Sequence, residues 1–175
     1  MDDRSADAEI VAVILLCTIY ERMTIQKWDV RSYNLRGNQM NNIKATGPFE
    51  VKLNPEAIGS VASATGLGRM SLDKKFEGDL IATSQGEMLA FRSAVSGSAG
   101  YVAMETVSGA LHGRQGSFVL QHSSTMTRGV PEQCITVVPD SGTGALTGLT
   151  GKLIIDIVDK QHSYRFDYSL PENPK

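Results

Sequence analysis

From Thr46 to the end of the chain, apolar residues recur at every second position in short runs, and the period of two is that of a half-buried strand. Phe49, Val51 and Leu53 alternate with Glu50 and Lys52 before Asn54-Pro55. Tyr101, Ala103, Glu105, Val107, Gly109 and Leu111 share one parity, and Phe118, Leu120 and His122 alternate with Val119, Gln121 and Ser123. Ile135 and Val137 follow, then Leu153, Ile155 and Ile157, and last Tyr164, Phe166, Tyr168 and Leu170. Turn signals separate the runs: Gly113-Arg114-Gln115-Gly116, Asp140-Ser141-Gly142-Thr143-Gly144 and Asp159-Lys160-Gln161. Short strands on tight connections make an antiparallel meander. About eight strands with one apolar face bury that face best by closing into a barrel, which also removes exposed edges. The expected fold is all-β, a small antiparallel meander closed into an approximately eight-stranded barrel.

Glycine placement divides the chain. One glycine, Gly37, precedes residue 40, and the rest of the 17 fall between Gly47 and Gly151. Residues 40–175 therefore read as a single β-barrel domain, with 1–39 as an N-terminal extension. Gly78, Gly97, Gly100, Gly109, Gly148 and Gly151 interrupt strand-like text, where glycine marks a bulge, a bend or a close approach. The extension opens acidic at Asp2, Asp3, Asp7 and Glu9 and turns apolar from Ile10 to Tyr20. It lacks the positive start and cleavage site of a secretory signal, and its apolar run of eleven residues is shorter than the about 20 that cross a bilayer. It reads either as a docking helix or added strand, or as a disordered tail or codons upstream of a later start at Met23 or Met40. No membrane partner is expected, and the expected compartment is the cytoplasm.

Several chemistries are excluded. At 41% hydrophobic, 21% charged and a net charge of -2, the chain is that of a globular domain with no electrostatic call on nucleic acid. Its lysines and arginines after residue 40 stand singly apart from Lys74-Lys75, without aromatic interleaving. Two cysteines, Cys17 and Cys134, make neither a disulfide scaffold nor a four-thiolate zinc site. Gly151-Lys152 is followed by Leu153 and has Leu146 five positions before it, so it is not a phosphate loop. Gly66-Leu67-Gly68 continues as Arg69-Met70-Ser71 and lacks the dinucleotide fingerprint. Ser98 and Ser141 miss the glycine frame of a nucleophile elbow. His112, His122 and His162 lack metal-ligand spacing. Neither a metal nor a cofactor is expected.

What remains is polar chemistry on an apolar parity. With the hairpin turning at Arg114-Gln115, Val107 faces His122 and Glu105 faces Ser124, which makes Glu105 and His122 diagonal neighbours. Tyr101 lies on the same face. If that face is the interior, Glu105, His122 and Tyr101 converge in an apolar lumen, where burial raises a carboxyl pKa and pairing lowers it. They are the candidate catalytic or binding residues. The alternative is a satisfied polar contact in a filled core, and a slip of one residue would put all three outside. Gln121, His112, Arg165 and Asp167 fall on the outer parity, Tyr164, Phe166 and Tyr168 read as core, and His162 reads as a turn residue.

The text also carries a family likeness. It rests on Gly68-Arg69-Met70-Ser71-Leu72-Asp73-Lys74, Phe76-Glu77-Gly78-Asp79-Leu80, Gly97-Ser98-Ala99-Gly100-Tyr101-Val102-Ala103 and His112-Gly113-Arg114. It continues through Gly116-Ser117-Phe118-Val119-Leu120-Gln121-His122, Thr125-Met126-Thr127-Arg128-Gly129, Val137-Val138-Pro139-Asp140-Ser141-Gly142-Thr143-Gly144 and Tyr164-Arg165-Phe166-Asp167-Tyr168. Over residues 43–170 these segments closely resemble the bacterial domain-of-unknown-function family 3224, whose members usually begin near the position of Met40. That family looks like the allene oxide cyclase barrel group, and Asp140–Gly148 is similar to the glycine-rich turn of allene oxide cyclases and plant dirigent proteins. The resemblance implies an eight-stranded meander, often in a homo-oligomer, that holds an apolar ligand. It carries no catalytic residue over, and fold analogy does not transfer activity.

Two functions follow as expectations. In one, the lumen binds a small apolar molecule and isomerises or cyclises it without a cofactor. In the other, the barrel is filled and serves as a non-enzymatic structural or interaction module. A cavity of about 300 Å³ or more, lined by Glu105, His122 and Tyr101, separates the first from the second.

Overall fold

The computed structural model describes residues 42–171, so the expectations for the 1–39 extension lie outside the described residues. Eight antiparallel strands follow in chain order: β1 (Ile43–Pro55), β2 (Leu67–Phe76), β3 (Leu80–Arg92), β4 (Ala99–Leu111), β5 (Arg114–Thr127), β6 (Val130–Val137), β7 (Thr150–Val158) and β8 (Gln161–Ser169). Each pairs with the next, and β8 returns to β1 with Phe166 opposite Ala45, closing the barrel. Among the described residues, helix is confined to one short turn between β1 and β2, α1 (Ser60–Ala64), and a 3₁₀ turn at Gly144–Leu146. Among the described residues no helix is long and apolar enough to cross a membrane.

Tight hairpins set the registers. His112 and Gly113 both take positive φ (47° and 78°), the mirror-image turn whose twist matches its flanking strands. The β4–β5 turn therefore falls two residues before the expected Arg114-Gln115, and Glu105 stands opposite Leu120. The partner of Glu105 moves by four residues. Because that shift is even, every side chain keeps its face. Of the glycines expected inside strands, Gly100, Gly109 and Gly151 are there, while Gly78, Gly97 and Gly148 lie in the connections.

The two barrel ends differ. At one end the β6–β7 connection folds inward, burying Leu146 and Leu149 against Phe118, Phe166, Tyr168 and Leu170. Thr143 continues the ladder that β6 leaves, its amide donating to Ser117 O at 2.8 Å. Tyr164 anchors the same end, since its hydroxyl accepts from the Leu80 amide at 2.8 Å. This end is plugged. At the other end, called the mouth here, a smaller cluster of Met70, Leu72, Met88 and Ala103 packs beside half-buried Leu53, Ala90 and Tyr101. The strands beside the mouth include the weakest seam: β6 and β7 pair directly only at Ile135–Leu153 and Thr136–Lys152.

Candidate functional site

Between plug and mouth the interior parity turns polar on four consecutive strands: Lys74 on β2, Ser84 on β3, Glu105 on β4 and His122 on β5, all buried. Their strands place them diagonally. Lys74 faces Ser84 across β2–β3, Gly86 faces Glu105 across β3–β4, and Ala103 faces His122 across β4–β5. Gly86 lets β3 lie so close to β4 that a Cβ there would collide with Glu105, and the Glu105 carboxylate is bonded from β2 and β3 on one side and from β5 on the other. Lys74 Nζ donates to Glu105 Oε1 at 2.8 Å, His122 Nε2 lies 2.9 Å from the same oxygen, and Ser84 Oγ donates to Oε2 at 2.7 Å. Lys74 Nζ also lies 5.5 Å from the centre of the Phe49 ring and 5.9 Å from that of Phe76.

The charges follow from these contacts. Burial by itself pushes the Glu105 carboxyl up, but the Lys74 ammonium and the hydrogen bonds from His122 and Lys74 outweigh it and hold the pKa at about 2. Burial pushes His122 the other way, below its ordinary value. The hydrogen bond to Glu105 opposes that fall, and the Lys74 ammonium adds to it. Glu105 is thus a carboxylate, which can only accept, so the hydrogen between the two groups sits on His122 Nε2. Nδ1 of the neutral ring is then a bare acceptor, and no hydrogen bond reaches it from the described residues.

Beside this group lies a cavity of about 40 Å³ that opens toward the mouth. Val51, Leu53, Leu72, Met88 and Ile155 supply its apolar wall, and Lys74, Tyr101, His122 and His162 its polar points. The volume matches about three water molecules, far below the about 300 Å³ that would favour a ligand-holding lumen over a filled barrel, and Glu105 is not part of its wall. Burial, and then the Lys74 ammonium, hold His162 below its ordinary value too. Among the described residues no group of three or more His, Cys, Asp or Glu is placed to hold a metal ion.

The sequence-expected trio comes together only in part. Glu105 and His122 meet, as diagonal neighbours on the opposite diagonal from the expected one. Tyr101 does not join them at the carboxylate: it sits four residues from Glu105 along the same strand, about 13 Å away at strand rise, and lines the cavity instead. Lys74 and Ser84 were missed. The signal for Lys74 was its place between Leu72 and Phe76 on the apolar parity, masked by adjacent Lys75. His162 is a correction as well, being the second residue of β8 and part of the cavity wall, its ring 5.2 Å from that of Phe49. The core aromatics Tyr164, Phe166 and Tyr168 are buried and Gln121 and Arg165 are exposed on the outer side, while His112 sits in the β4–β5 turn with its Nδ1 2.8 Å from the Tyr168 hydroxyl.

Comparison with known proteins agrees with this architecture. A protein of unknown function of the DUF3224 family from Shewanella oneidensis MR-1 shares 52% identity and superposes with a TM-score of 0.69, covering 74% of this chain and 98% of its own. No functionally curated protein matches the chain. Residues 45–168 match the family described as a protein of unknown function, DUF3224, and the chain belongs to that family.

Proposed function

We propose that this barrel binds a small apolar molecule at its mouth, with Lys74, Glu105, His122 and Tyr101 orienting it or moving a proton on it without a cofactor. One observation carries the reading: an ionised pair and a neutral imidazole are buried beneath a cavity. Stability alone gives no reason for them, because apolar residues of equal volume commonly serve as well as a buried ion pair. A bare imidazole nitrogen in apolar surroundings is suited to accept a proton or a hydrogen bond from a guest. The resemblance to allene oxide cyclase-like barrels, which hold apolar ligands, agrees with this assignment. An exposed, free Cys134 suits a reducing compartment such as the cytoplasm.

A second reading has its own support. The cavity is small, and the outer face of β3–β4 exposes Leu89 directly opposite Val102, with Phe91 and Met104 beside them. On that reading the barrel is filled and its outside makes contacts with other chains or with further copies of itself. Untargeted mass spectrometry of molecules released from natively purified protein separates the two. The binding reading expects an apolar small molecule from wild type and its loss from folded His122→Ala; wild type and variant both folded and empty would favour the filled barrel.

A further inference from the structure

The arrangement of the buried group also narrows what the cavity can receive. Lys74 and Glu105 cancel in charge, and the neutral His122 adds none, so the site sums to zero. A carboxylate entering it would bring an uncompensated negative charge and would set its oxygens against the lone pair of His122 Nδ1. An ammonium would bring an uncompensated positive charge beside Lys74 Nζ, which is already held by Glu105 at 2.8 Å. Either ion loses its water on entry without gaining a partner of opposite sign. A neutral group that donates one hydrogen bond meets none of these penalties and satisfies Nδ1. The size points the same way, since about 40 Å³ admits a terminal group of about three heavy atoms. Anything longer must run out between Leu53, Met88 and Tyr101, which line the path to the mouth.

We propose that the cavity selects the hydroxyl end of an elongated, uncharged apolar molecule, an alcohol whose O–H donates to His122 Nδ1 while its chain lies in the mouth. This rests on the binding reading above and specifies its ligand class. The structural features that carry it are a His122 that lines the cavity while its Nε2 is held by Glu105, and the narrow apolar approach.

Four probes of equal chain length test it at pH 8: 1-hexanol, its isomer 1-methoxypentane, hexanoate and hexylammonium. The ether keeps the formula and the overall length, with the oxygen moved one atom inward and capped by a methyl, and it lacks the donor. Dissociation constants come from amide shift titrations of the full-length protein, and the imidazole nitrogens of His122 are followed in the same samples. The expected result is that hexanol binds about tenfold more tightly than the ether, as one hydrogen bond warrants, with both ions weaker still. Shifts should appear at Val51, Met88 and Tyr101, with a change at His122 Nδ1. In His122→Phe, hexanol and ether should bind alike. Equal binding of hexanol and ether to wild type, tighter binding of hexanoate, or shifts confined to the plugged end would overturn the hydroxyl assignment and leave a cavity that binds something else. Should none of the four bind at millimolar concentration, the binding reading beneath it falls too.

Discussion

Gly86 stands directly opposite Glu105 across the β3–β4 ladder, and a Cβ at Gly86 would lie 2.6 Å from Glu105 Cα. Real Cβ atoms do not approach backbone so closely, so an added methyl must push β4 away and with it the carboxylate that organises the site. Gly86→Ala should cost about 1–3 kcal/mol in urea denaturation, the range for overpacking a filled interior. Gly59→Ala is the control, since nothing lies within 4 Å of a Cβ there, and its stability should stay within about 0.5 kcal/mol of wild type.

The Lys74–Glu105 pair should behave as a unit. Glu105→Gln leaves the Lys74 ammonium buried without its counter-charge and should cost about 3–5 kcal/mol. Adding Lys74→Met removes the stranded charge, so the double variant should recover much of that loss. A double-mutant cycle on urea midpoints measures the coupling, and additive costs would show that the two groups do not depend on each other.

Stability should fall with pH in two stages. Burial depresses His122, so below its ordinary value of 6.5 the unfolded chain takes up a proton that the folded ring refuses, and stability declines as pH drops through that window. His162 adds to the same decline. Glu105 holds its proton off down to about 2, against an ordinary value of 4.5. Its contribution of about 3 kcal/mol is complete above 4.5 and is lost as pH falls toward 2. Urea midpoints between pH 8 and pH 3 should show both stages, and Glu105→Gln should flatten the lower one.

The barrel was legible because alternation survives errors of register. A turn placed two residues late moved every β4–β5 partner by four positions, yet Glu105, His122 and Tyr101 stayed on the interior face. What did not survive was proximity. Tyr101 and Glu105 share a face, but four residues of strand keep them apart, and parity alone cannot report distance along a strand. Lys74 was hidden by charge next to charge: Lys75 points outward to Glu77, and a pair of adjacent lysines reads as solvated surface. Met70, Leu72 and Phe76 around it carried the correct parity. His162 was hidden by the two-residue turn at Asp159-Lys160, so tight that β8 begins at Gln161. The cavity's size follows from how the Met88, Leu53 and Tyr101 side chains fill the mouth, which no periodicity encodes.

The β6–β7 seam should be the first part of the wall to open. Where the backbones part, the Gln133 amide takes the place of a ladder, donating to Ile155 O at 2.9 Å and accepting from the Ile155 amide at 3.0 Å. Ile155 lines the cavity, so this side chain closes the wall beside it. Gln133→Ala should speed hydrogen exchange of the Ile155 amide about tenfold, the worth of one hydrogen bond, while the Leu153 amide on the paired side changes little. Equal acceleration at both amides would mean that the seam opens as a whole and is not held by Gln133.

The state of the His122 ring decides most directly whether a receptive nitrogen faces the cavity. Long-range proton–nitrogen NMR spectra of the imidazole, recorded from pH 8 to pH 5, read both its protonation and its tautomer. The expected result is a neutral ring with its hydrogen on Nε2 at pH 7 and a protonation midpoint below the ordinary 6.5. A hydrogen on Nδ1, or a ring already doubly protonated at pH 7, would contradict the site described here.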